Sequence, residues 1–313
     1  MYNSPRKEKC PCTRKEECER HSNCDACQAN HRERGYPTAC QRVEGEVYLH
    51  EANVNDFGLI YGKWMGKDDT WTIATRGVNA YLLVGSEKAL LIDTCHGEGD
   101  LRRFVEQITD KPVIVANTHG HYDHTGGNPW WKEAYMSKEA AGHAKRAFSP
   151  EMQARHDSLP YPDYDINIID EGHVFDLGNR KVEVIRISAH SPGSLAYLDS
   201  ASRYLFTGDE LEAGQVLLFL NDENVIQKHK NNMEKLLAMS DRFDAICPSH
   251  NGSPLNKKYI SDFLELDRQI LEGTQTIMPN LAGYGFPKQS QRSGPFGGDI
   301  KRAQYGGASV LYK

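Results

Sequence analysis

From Val43 onward, short apolar runs alternate with stretches whose apolar residues recur every three or four positions, which predicts strands alternating with helices. N-A-Y-L-L-V (79–84) and K-A-L-L-I-D (88–93) flank the turn G-S-E and predict a hairpin of buried strands. Leu101, Phe104, Val105 and Ile108 repeat at i, i+3, i+4 and i+7, with Asp100 as the expected N-cap and Pro112 as the stop. V-I-V-A-N (113–117) is β-branched and apolar, so it predicts a buried strand. A helix is expected over 137–148, then a long surface loop over 149–170 carrying Pro150, Pro160 and Pro162. Strands resume with K-V-E-V-I-R-I, S-L-A-Y-L-D and R-Y-L-F-T. Two helices follow, over 228–239 and 257–272. The second has Tyr259, Ile260, Phe263, Leu264, Ile270 and Leu271 on its apolar face and Gly273 as C-cap. Residues 276–313 are rich in Gly and Pro and are expected to form an irregular tail. Strands then helices, twice over, predict an α/β fold: a sandwich of two sheets with helices outside.

Residues 1–42 break this pattern. They carry many charges, few aliphatic side chains and six of the eight cysteines: Cys10, Cys12, Cys18, Cys24, Cys27 and Cys40. With no apolar core of its own, such a segment needs another source of order. In a reducing compartment crowded thiolates favour metal, as zinc or an iron–sulfur cluster, over disulfides. Cys24 and Cys27 form a C-x2-C pair, a common zinc half-site. The expected organisation is therefore a Cys-rich module over 1–42, a main domain over 43–275 and a tail over 276–313.

Composition narrows the function classes. The chain has 313 residues, 39% hydrophobic and 26% charged, with a net charge of -6. An acidic balance gives no electrostatic footprint for nucleic acid, and no apolar run is long enough to span a membrane. The first ten residues lack an apolar core, so the expectation is a cytoplasmic chain without a secretory signal. The oligomeric state is not encoded in any of these features.

The densest candidate chemistry is N-T-H-G-H-Y-D-H-T-G-G-N, 117–128, where His119, His121, Asp123 and His124 leave a predicted strand together. Imidazole and carboxylate are ligands for zinc or iron, and strand ends aim side chains well. Three later strands end the same way: His190 follows K-V-E-V-I-R-I-S-A, Asp209 follows R-Y-L-F-T-G, and His250 follows A-I-C-P-S. Asp199 also ends a strand but has no partner ligands in the pattern. Asp93, at another strand end, is a candidate acceptor for a ligand His N–H. Trp64, Trp71, Tyr161, Tyr164 and Tyr284 lie in expected loops and are candidate pocket residues.

Together these motifs resemble the metallo-β-lactamase superfamily of hydrolases over about residues 43–275. The resemblance implies an αββα sandwich and two divalent ions, zinc first, with iron or manganese as alternatives. It implies that His119, His121 and His190 bind one ion, that Asp123, His124 and His250 bind the other, and that Asp209 bridges them. It further implies a metal-bridged hydroxide as nucleophile on a small ester, thioester, lactone or phosphodiester, with Asp123 handling its proton. The chain departs from the family at Ser188 and Ala189, where Pro-Gly is common, and at Cys95 and Asn251, where Gly is usual. β-Lactamases of this fold lack the bridging Asp, and flavin-linked reductases have Glu where His121 stands. Glyoxalase II-like thioesterases share the ligand set but have a larger helical C-terminal region. A different class of function, a metal or redox sensor working through the Cys-rich module, would leave the seven-ligand set vestigial.

Overall fold

A computed structural model of the chain describes Ala26 and residues 47–49, 62–65, 68–75, 77–97, 101–145, 163–219, 224–278 and 300–313. The six cysteines of the N-terminal segment, Asp100, Tyr161 and Tyr284 lie outside the described residues.

The first sheet runs in chain order through β1 (Val47–Leu49), β2 (Gly62–Met65), β3 (Thr70–Thr75), β4 (Val78–Val84), β5 (Ala89–Ile92), β6 (Val113–Ala116), β7 (Glu133–Met136) and β8 (Asp165–Ile168). The expected hairpin is β4 with β5, antiparallel, and β6 then joins β5 in parallel. The second sheet contains β9 (Val174–Asp176), β10 (Lys181–Arg186), β11 (Leu195–Asp199), β12 (Tyr204–Gly208) and β14 (Ala245–Pro248), in the order β14-β12-β11-β10-β9.

Strand alternation explains why these sequences are apolar at nearly every position. Tyr81 and Leu83 of β4 face Val182, Val184 and Tyr197 of the second sheet, forming the layer between the sheets. Ala80 and Leu82, one residue out of phase, pack instead with Leu101, Phe104 and Val105 of α1 (Leu101–Glu106) and with Ala140 and Ala144. The last two belong to α3 (Lys138–Ala144), whose N-cap Ser137 accepts from the Ala140 N–H. The outer face of the second sheet, with Ile185, Ala196, Leu198 and Leu205, is covered by α4 (Val225–Ala238) and α5 (Lys258–Glu272). The central strands β4, β5, β11 and β12 are buried on both faces, so they need no polar face. Gly273 caps α5 in the left-handed conformation at φ 71°, as expected.

Two expectations are corrected. The loop expected over 149–170 contains β8, because D-I-N-I alternates with period two and pairs in parallel with β7. The tail is not irregular over 301–312. There β16 (Lys301–Tyr305) and β17 (Ala308–Tyr312) form a hairpin whose Ala303, Ala308, Val310 and Tyr312 enter the core beneath α5. With β13 (Val216–Leu217) and β15 (Ile277–Met278) they make a third small sheet, in the order β13-β17-β16-β15. Tyr164 is buried in the core around α1 and α3, and Trp71 packs against that core, so both are packing residues.

Candidate metal centre

All seven candidate ligands emerge from loops that follow β6, β10, β12 and β14. The H-G-H stretch leaves β6 through a bend, and His121, extended at φ -70° and ψ 154°, caps the short helix α2 (Tyr122–Thr125), which turns Asp123 and His124 back toward the cluster. Packing dictates the glycine between the histidines, since a Cβ on Gly120 would lie 2.4 Å from the Ala140 carbonyl oxygen. The asparagines that bracket the motif hold its shape. Asn117 Nδ2 donates to the His124 carbonyl at 2.8 Å, and Asn128 Nδ2 donates to Asn117 Oδ1 at 2.8 Å. Before Asp209, Gly208 takes φ 56°, and a Cβ there would approach Thr118 to 2.7 Å. Only glycine meets both demands.

The donor atoms form two groups. His119, His121 and His190 make one, and Asp123, His124, Asp209 and His250 the other. Within each group the facing atoms lie within 4.8 Å of one another. His121 Nδ1 is 2.9 Å from His119 Nε2 and 3.2 Å from His190 Nε2. Asp209 lies between the groups: Oδ2 is 3.6 Å from His190 Nε2 and 3.3 Å from His250 Nε2, while Oδ1 is 3.4 Å from His124 Nε2.

Four of the five rings are fixed through the nitrogen that points away from the cluster. His119 Nδ1 meets Thr118 Oγ1 at 3.0 Å, and His124 Nδ1 meets Asp93 Oδ2 at 2.9 Å. His190 Nδ1 meets the Leu217 carbonyl at 3.0 Å, and His250 Nδ1 meets the Gly77 carbonyl at 2.9 Å. Such outer contacts set ring orientation and turn the inner nitrogen toward the cluster. Asp93 is itself held by the Thr118 N–H, the Thr118 hydroxyl and the Ser249 hydroxyl.

Charge divides the cluster. Burial, reinforced by the neighbouring imidazoles, holds His119 well below the usual histidine range and His121 down at about 4. Burial also lowers His190. These three are therefore neutral, with a lone pair available. Burial disfavours charge on His124 and His250 as well, but Asp209 and Asp123 outweigh it and raise both. The same contacts keep Asp123 and Asp209 well below the usual carboxylate range against their own burial.

Whether these residues fit a metal is tested by His124 Nε2 and Asp209 Oδ1, which are buried without any hydrogen-bond partner. Buried polar atoms are rarely left so, and a cation between them would satisfy both. The set of imidazoles and carboxylates suits zinc, iron or manganese.

Sequence reading missed Glu210, the Leu217 and Gly77 carbonyls, and the asparagine pair. The first looks like a surface acid beside Asp209, and backbone acceptors carry no sequence signal.

A four-layer sandwich with two His/Asp donor groups at one rim defines a metal-dependent hydrolase. The chain belongs to the metallo-beta-lactamase superfamily, whose family model matches residues 73–250. It is 28% identical over 200 residues to the acyl-coenzyme A thioesterase MBLAC2 of Gallus gallus, covering 55% of this chain and 72% of that protein. It is 27% identical over 150 residues to the hydroxyacylglutathione hydrolase GloC of Haemophilus influenzae, covering 44% and 68%. Among solved structures, a metallo-beta-lactamase from Cronobacter sakazakii shares the fold with a TM-score of 0.51 at 18% identity, covering 67% of this chain and 93% of that one.

Proposed function

We propose that the chain hydrolyses a small-molecule thioester at a dinuclear site. In this reading His119, His121 and His190 hold one divalent cation, Asp123, His124 and His250 hold the other, and Asp209 is shared. The observation that carries the reading is the convergence of seven donor side chains around two buried atoms, His124 Nε2 and Asp209 Oδ1, that lack hydrogen-bond partners. When bound, two such cations lower the pKa of water toward neutrality and polarise an acyl carbonyl.

The chain's own residues do the rest. Asp123 Oδ2 stands 3.3 Å from His250 Nε2 and 3.5 Å from His124 Nε2, and its side chain is 30% exposed. It can therefore accept a hydrogen bond from the attacking water and take its proton, as a carboxylate held in its charged form does. Thr118, Asp93, Leu217 and Gly77 keep the imidazoles oriented meanwhile. A thiol leaving group, with an ordinary pKa of about 8.5, departs without a strong general acid. The thioester assignment is supported by the relatives named as acyl-coenzyme A thioesterase and hydroxyacylglutathione hydrolase. In the same reading four of the six N-terminal cysteines hold a further zinc, or the cysteines hold an iron–sulfur cluster, as a separate module over 1–42.

The test is hydrolysis of an acyl-coenzyme A and an acylglutathione against a simple lactone and bis(4-nitrophenyl) phosphate. Thioesters are expected to be the fastest class. Activity should vanish on exhaustive chelation and return with Zn²⁺, Mn²⁺ or Fe²⁺. Turnover that survives confirmed metal removal would exclude the mechanism, and a phosphodiester preference would exclude the substrate class.

A further inference from the structure

We infer that Glu210 is a positioning residue that clamps the turn carrying His190 to the turn carrying Asp209; the inference rests on the dinuclear reading of the site. Glu210 is 0% exposed, although it follows directly on a ligand at a strand end. Its Oε2 accepts from two consecutive backbone N–H groups, those of Ala189 at 3.1 Å and His190 at 2.9 Å. Its Oε1 accepts from Asn232 Nδ2 of α4 at 2.7 Å. The residue's own carbonyl accepts from His229 Nε2 of the same helix at 2.9 Å, and His229 Nδ1 lies 2.7 Å from Asp267 Oδ2 of α5.

One side chain therefore joins ligand-bearing turns from different strands, and its backbone ties them to both covering helices. The geometry matters because Asp209 lies between the two donor groups, 3.6 Å from His190 on one side and 3.3 Å from His250 on the other. A shift of the Ala189–His190 backbone away from Glu210 would open the first distance and leave the second unchanged. Removing the carboxylate leaves buried donors unsatisfied at the point that sets His190, so the loss should fall on metal affinity.

The experiment measures dissociation constants for Zn²⁺ and Mn²⁺ by chelator competition in the full chain, at a temperature where each variant is folded by circular dichroism. Glu210→Ala is expected to weaken the binding of at least one ion by about 10–100-fold. Glu210→Gln keeps an oxygen for the two backbone N–H groups and should restore most of that affinity. Asn232→Ala removes a single donor from a partly exposed position and should weaken binding in the same sense by a smaller factor; it carries the test if Glu210→Ala does not fold. Val105→Ala, in the core on the far side of the first sheet, lowers the melting temperature without touching the clamp and should leave both constants unchanged. Wild-type affinity in a folded Glu210→Ala, or in Asn232→Ala should Glu210→Ala not fold, would overturn the clamp and leave the metal reading standing. A wild-type chain that takes up no divalent ion would overturn both.

Discussion

Asp209 leaves β12 among His190, His124 and His250, with part of its side chain open to solvent, whereas Asp199 at the end of β11 is fully enclosed. Asp199 accepts from Arg180 Nε at 3.1 Å, from Arg180 Nη2, and from the backbone and hydroxyl of Ser202. In sequence the two acids differ only in their neighbours. The structure makes Asp199 one half of a buried ion pair with Arg180. Asp209→Ala is expected to lose at least one ion and about 100-fold or more in turnover while staying folded, as metal analysis, kinetics and melting would show. Asp199→Ala strands Arg180 without its counter-ion and should cost about 3–5 kcal/mol in denaturant unfolding. Retained stability there would contradict the enclosed pair. The clustered donor residues were legible because polar side chains stand out after apolar strands. Glu210 and Asp199 were not, because only tertiary neighbours decide which acids are buried. The family's glycine preferences also find their reason here, since Cys95 and Asn251 have φ of 55° and 54°. Left-handed backbone costs a residue with a Cβ about 1–2 kcal/mol. Cys95→Gly should therefore be more stable than Cys95→Ala by about 1 kcal/mol, reversing the usual order. Equal melting temperatures would count against the strain.

The helices α4 and α5 lie against each other on the outside of the second sheet, and His229 and Asp267 face each other in that contact, both buried. Two acceptors, Asp267 and the Glu210 carbonyl, surround the imidazole, so both nitrogens must carry hydrogens. Burial alone would lower its pKa, but Asp267 and then Glu210, the titratable groups facing it, outweigh that and push it up to about 9 from 6.5. The folded chain thus holds a proton that the unfolded chain releases between those values. Its contribution, on the order of 3 kcal/mol, is complete below pH 6.5 and is lost as pH rises through 9. Unfolding titrations of wild type and His229→Gln should converge over that window. A stability gap that stays constant with pH would show that the pair is not linked to folding. Both helices were readable from their apolar periodicity, though α4 begins at Val225, three residues before the expected start. β8 and the β16–β17 hairpin were not, because proline, glycine and short length hide alternation that pairing partners complete.

For the molecule as a whole, the layers follow from two apolar periods in the sequence, and the site follows from four loops meeting at one rim. The cysteines belong to a different part of the chain, and the reading that they bind zinc makes a countable prediction. Under reducing conditions the full chain should carry metal beyond the two ions of the centre. The paired change Cys24→Ser and Cys27→Ser should remove that excess and spare thioester hydrolysis. A chain beginning at Val43 should keep two ions. Free thiols at all six N-terminal cysteines, alongside only two bound ions in the full chain, would sink the module as a metal site.

The Leu217 carbonyl that orients His190 belongs to β13, and β13 is paired along its length with β17, Val216 opposite Val310 and Leu217 opposite Leu311. β17 lies far beyond His250, the last ligand in the chain. During synthesis every candidate metal ligand leaves the ribosome well before the strand that steadies one of them. Until residues 308–312 emerge, His190 has its neighbours but not its supported acceptor. The nascent chain can therefore close its sandwich first and mature its centre afterwards, in keeping with the late formation of contacts distant in sequence. A ribosome stalled with residue 278 just exposed should display a chain that holds Zn²⁺ weakly, and tight binding should arrive only when residues 308–312 have left the ribosome.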